Sequence, residues 1–182
     1  MEILNNNSVV ELGEDYVELP FAGSVEESFN FVQAILDENN LSNLKLKVLE
    51  NISNVVDILV EHGNVHENLV LDTAQLFIMA KHSGINLDCA KDFFGKHSIA
   101  AAKLILNDFH TIEKNIKYLF ENEDYPFIAK IKIADIIFEL NNLKTKSARK
   151  NHLAFKEAEF ILATYEQNFQ KGLINQLKLI IE

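Results

Sequence analysis

Two prolines and six glycines are all that interrupt 182 residues, and this scarcity is the strongest constraint on the fold. Proline and glycine end regular segments, so a chain poor in both is built from long elements. Their period is helical. In KLKVLENISNVVDILVEH, Leu49, Ile52, Val56 and Leu59 mark one helix face. ENLVLDTAQLFIMAK is apolar nearly all round from Ala74 to Ala80, the pattern of a central, buried helix. In HSIAAAKLILNDF, Ile99, Ala102, Leu106 and Phe109 line one face, and three successive alanines permit close helix approach. PFIAKIKIADIIFELNN opens on Pro126, a favoured first helical residue, with Phe127, Ile131, Ala134 and Phe138 as its apolar face. HLAFKEAEFILATY and EQNFQKGLINQLKLII complete the series, the last with Phe169, Leu173, Leu177 and Ile180 inward.

Breaks are expected at LDENNLSN, EHGNVHEN, KHSGIN, Asp108–Thr111, FENEDYP and LKTKSARKN. Only VVELGEDYVELPFAGS alternates like a strand, and Pro20 ends it. The sequence therefore predicts an all-α, single-domain bundle of about seven or eight helices. Residues 1–40 form an N-terminal arm and first helix, and residues 41–182 the helical domain. With 48% apolar residues, a chain of this length can bury roughly 70% of its unfolded surface.

Charge narrows the function. The net charge is −10 and lies almost wholly in residues 1–72, where 14 acids face only Lys45 and Lys47. A duplex-binding protein carries a basic footprint, so no nucleic-acid partner is expected. The single cysteine, Cys89, excludes an internal disulfide and fits a reducing compartment. No run reaches the length of a membrane helix, and the first residues lack a basic n-region and an apolar h-region. The expectation is a soluble, cytoplasmic protein without membrane insertion.

Local motifs do not identify an enzyme. His62 and His66 have the i,i+4 spacing of a shared metal pair, but Gly63 and Asn64 between them read as a helix end. His82 sits beside Gly84, where the dipole of a helix C-terminus favours it. Thr111 with Lys114 makes half a capping box behind His110, and His152 closes a basic loop as plain polarity. Asp135 interrupts the apolar run KIKIADIIFEL; Lys132, Asp135, Glu139 and Asn142 read as a solvated stripe. Cys89 has no cationic neighbour except Lys91, so no activated thiol is expected.

Order and spacing say more than any one motif. AQLFIMAKHSGI at 74–85 is followed by KHSIAAAKLIL at 96–106, FENEDYP at 120–126 and AKIKIADIIFEL at 129–140. LKTKSARK at 143–150 and FKEAEFIL at 155–162 complete the order. This succession resembles a bacterial HD-GYP domain of the HD phosphohydrolase superfamily, most strongly over 70–165. That family runs through AxLLHDIGKIGI, KHP, HHExxDGxGYP, RIxxIADxxDAL, a basic RPYR segment and an eeA helix. It hydrolyses cyclic di-GMP with His and Asp ligands around two or three metals and an activated bridging water.

The resemblance places the family's HD pair on Ile78 and Met79, or on His82 and Ser83 in a shifted register. The two His of HHE fall on Leu119 and Phe120, leaving Glu121 in the acidic place, and GYP falls on Asp124, Tyr125 and Pro126. The family's earlier His falls in KVLENIS, which has none. Of the ligands, His97 and Asp135 remain as vestigial positions, and Glu121, Tyr125 and Pro126 as a vestigial loop. Apolar replacements pack a cavity shut where vacant His ligands would cost desolvation.

The resemblance therefore implies a non-catalytic regulatory or scaffolding domain in bacterial signalling. It needs no cofactor and acts through a protein partner or self-association. A second reading is a metal-independent sensor of cyclic di-GMP, with Lys144, Lys146, Arg149 and Lys150 on the phosphates. A third is a surviving phosphohydrolase in which His97 and Asp135 recruit His66 or His82.

Overall fold

The computed structural model describes residues 24–107, 109–143, 145–169 and 171–182, with the side chains of Lys146, Lys150 and Asn151 outside that description. The strand expected before Pro20 and the residue Lys144 also lie outside the described residues.

Short polar residues set the helix ends. Helix α1 (Val25–Glu38) starts behind Ser24, whose hydroxyl accepts from the Glu27 N–H at 3.2 Å. It is capped by Asn39, and Asn40 then turns the chain at φ 58, a left-handed conformation that asparagine tolerates. Helix α2 (Ser42–Glu61) ends at His62, and Asn64 turns the chain with φ 47. That turn takes His66 off the helix, as expected. Helix α3 (Asn68–Ser83) closes on Gly84, at φ 73, whose N–H donates to the Ala80 carbonyl at 2.9 Å. A 3₁₀ turn at Leu87–Ala90 leads to α4 (Lys96–Leu106). Thr111 then caps α5 (Ile112–Phe120) by accepting from the Lys114 N–H at 3.3 Å. Four more helices follow: α6 (Ile128–Asn141), α7 (Lys146–Asn151), α8 (Leu153–Tyr165) and α9 (Lys171–Ile181).

The described residues thus form one all-α bundle of nine α-helices, where seven or eight were expected. The addition is α7, inside the basic stretch read as a break. Thr145 caps it, accepting from the Ala148 N–H at 3.1 Å. Two starts also move. Pro126 lies in the turn before α6, which begins at Ile128, and the final helix begins at Lys171 after a 3₁₀ turn at Glu166–Asn168.

Two cores meet along α6. The first joins α1, α2, α3 and α4, and α3 is buried on every side from Val70 to Ala80. Fully buried Ala101 and Ala102 let α4 lie against it. The second joins α5, α8 and α9. Helix α6 feeds both: Ile128, Ile131, Ala134 and Phe138 enter the first, while Ile133, Ile136, Ile137 and Leu140 enter the second. The single apolar face read from sequence is therefore half of what α6 buries. On α4 the inward residue is Ile105 and not Leu106, which is 37% exposed. Among the described residues no helix is long and apolar enough to cross a membrane.

Candidate functional site

The charged residues of α6 are where the structure departs most from the sequence reading. Asp135 is not on a solvated stripe; it is 1% exposed. With apolar cores on both sides of its middle, α6 buries the position of Asp135, and an acid there must find its partner inside the protein. Lys81, in the last turn of α3, supplies it. The Lys81 ammonium donates to both Asp135 carboxylate oxygens, at 2.6 and 2.7 Å, and to Glu139 at 2.5 Å. It also lies 5.6 Å from the centre of the Phe77 ring.

The group extends to α8. Lys132 pairs with Glu157 at 3.0 Å, and Glu157 is buried. His152 stands at the start of α8, where its Nδ1 accepts from the Ala154 N–H at 3.3 Å and lies 3.6 Å from Glu139. His152 is thus a helix cap beside the ionic group and not plain loop polarity. Burial works against the charge on Lys81, but Asp135 and then Glu139 more than offset it, so the ammonium holds its proton above the ordinary lysine range. Burial pushes the Asp135 carboxyl up, against the pull of Lys81. Glu139 is raised by burial but drawn lower still by Lys81, and ends below its usual range. Burial also raises Glu157, against Lys132. His82 has a buried Nε2 with no partner. Burial and neighbouring Lys81 pull its pKa down, against the helix dipole that favours a charged histidine there.

The other expected site residues are scattered. His97, at the start of α4, has its Nδ1 3.1 Å from the Tyr125 hydroxyl. Asp135 and His97 thus have separate partners, and no described hydrogen bond joins them. Glu121 accepts from the Tyr165 hydroxyl at 2.8 Å, and the Tyr125 N–H donates to the Asn122 side chain at 2.8 Å. The stretch FENEDYP is thus a helix connection tied to α4, α8 and itself. Ile78, Met79 and Leu119 are fully buried in the cores. Of the basic segment, Arg149 is half-buried with its Nε donating to the Leu143 carbonyl at 3.3 Å, and Lys146 and Lys150 lie on α7. Cys89 is exposed, and partial desolvation of its thiol by neighbouring atoms pushes its pKa up.

The described residues do not assemble the donor set of a multinuclear metal centre. Divalent ions take about four to six ligands. Among the described residues no group of three or more His, Cys, Asp or Glu side chains is placed to hold one. Lys81 and Glu157 went unnoticed in the sequence because nothing local marks them; their partners lie on other helices. No family model, no curated protein and no solved structure matches the chain.

Proposed function

We propose that the chain is a non-catalytic regulatory or scaffolding domain, HD-GYP-like in the order of its helices, that acts by binding a protein partner or a second copy of itself. The observation that carries this reading is the Lys81 ammonium on both oxygens of Asp135. The resemblance puts Asp135 where the family keeps a metal ligand. Here an internal ammonium neutralises that carboxylate, and a neutralised carboxylate has little attraction left for a divalent ion. The second retained position, His97, has its Nδ1 on the Tyr125 hydroxyl, and no described hydrogen bond or ion pair links it to Asp135. The division of charge, −12 over residues 1–72 and +2 over the rest by count of Lys, Arg, Asp and Glu, offers a means of orienting a partner.

The test is metal content and turnover together. Protein expressed with manganese and iron, and never exposed to chelator, should carry far less than one equivalent of metal and leave cyclic di-GMP intact. Stoichiometric metal that disappears in the His97→Ala/Asp135→Ala double variant, with phosphodiester turnover, would overturn the proposal.

A further inference from the structure

A cleft of about 500 Å³ opens beside the loop between α5 and α6. Its size is within the roughly 300–1,000 Å³ of small-molecule sites. Its wall is aromatic: Phe120 packs tilted against Tyr165 at 4.9 Å and meets Phe169 edge-on at 4.8 Å. Two opposite charges, Glu121 and Lys130, share the lining. They make no ion pair with each other, and Lys130 has no ion-pair partner among the described residues. One Glu121 oxygen is already held by the Tyr165 hydroxyl, which fixes the carboxylate and leaves its other oxygen for a ligand. Such preorganisation lowers the cost of binding.

We propose that this cleft binds a small zwitterion, a free amino acid with an apolar or aromatic side chain. A purely anionic ligand would meet Glu121, and a purely cationic one would meet Lys130. A ligand carrying both charges partners both, with its ammonium on the exposed Glu121 carboxylate and its carboxylate on the half-buried Lys130 ammonium. The side chain then lies on the Phe120 and Phe169 rings, where apolar and aromatic groups gain most. The cleft contains neither Asp135 nor His97, so this proposal does not rest on the absence of catalysis.

The experiment is calorimetric titration of the full chain with phenylalanine and leucine, beside N-acetylphenylalanine and phenylalanine amide. Saturable binding of the free amino acids is expected, weakened about tenfold or more (~1.4 kcal/mol) by either block. Lys130→Met should abolish the preference for a free carboxylate, and Glu121→Gln the preference for a free ammonium. Phe169→Ala, a third change in the cleft, should weaken every ligand that binds. No saturation by any amino acid at millimolar concentration overturns the proposal. Blocked analogues that bind as well as free ones, or variants that bind as the natural protein does, overturn it equally.

Discussion

Lys81 and Asp135, 54 residues apart in sequence, join α3 to α6 through two hydrogen bonds from a single ammonium. The acid is fully buried and the lysine only a quarter exposed. A pair of this kind adds little net stability over a well-packed apolar pair, but it is costly to break from one side. Lys81→Met should therefore destabilise the protein by about 3–5 kcal/mol, because the buried Asp135 carboxyl loses its counterion and both hydrogen bonds. The Lys81→Met/Asp135→Leu double variant should recover most of that loss. Urea unfolding of the two variants checks both expectations.

Asp72 and Ser28 link α3 to α1 by a hydroxyl donating to a carboxylate at 2.5 Å. Burial pushes the Asp72 pKa from 3.8 up to about 6, with Ser28 pulling weakly the other way. A carboxyl whose pKa is raised on folding favours the native state while protonated. That contribution is complete below the unfolded value of 3.8 and is lost as pH rises through about 6. Asp72→Asn should therefore gain stability relative to the natural protein as pH rises across this window. Paired unfolding curves at pH 4, 5, 6 and 7 measure the trend.

Gly172 and Gly84 should respond differently to alanine. At Gly172 a Cβ would lie 2.0 Å from the His62 carbonyl oxygen, backbone against backbone, where α9 crosses the end of α2. Overpacking there should cost at least about 1–3 kcal/mol. At Gly84 the space is open, and only the φ of 73° opposes a side chain; the expected loss is about 1–2 kcal/mol. Thermal unfolding should rank Gly172→Ala as the less stable.

Tyr165 donates to Glu121, and burial followed by that carboxylate pushes its pKa up to about 12. The difference between the ultraviolet pH titrations of the natural protein and Tyr165→Phe should isolate a phenol that ionises near pH 12. Glu121→Gln should bring that transition down, since a neutral partner no longer opposes the phenolate.

The helices were legible because burial on one side of a helix imposes a local period. The buried run of α3 and the turn at Gly84 could be read from neighbouring residues, since each depends on contacts or dihedrals within a few positions. Both faces of α6 could not. Its residues 128–140 alternate between two cores, and a helix buried all round has no periodic contrast to reveal which neighbour takes which face. α7 was hidden by its charges, although Thr145 marked its start.

The sequence by itself determined the all-helical class, the position of most turns, and a chain in which Ile78, Met79 and Leu119 would seek the interior. These follow from residue type and spacing. Tertiary structure alone decided what surrounds each charge. Asp135, Lys132 and Glu139 have the spacing of a solvated stripe, and on an outer helix they would form one. Here α3 and α8 cover that stripe, so the same residues take Lys81, Glu157 and His152 as neighbours. Whether a carboxylate faces water or an ammonium is set by which helices pack against it, and one helix's own sequence does not contain that information.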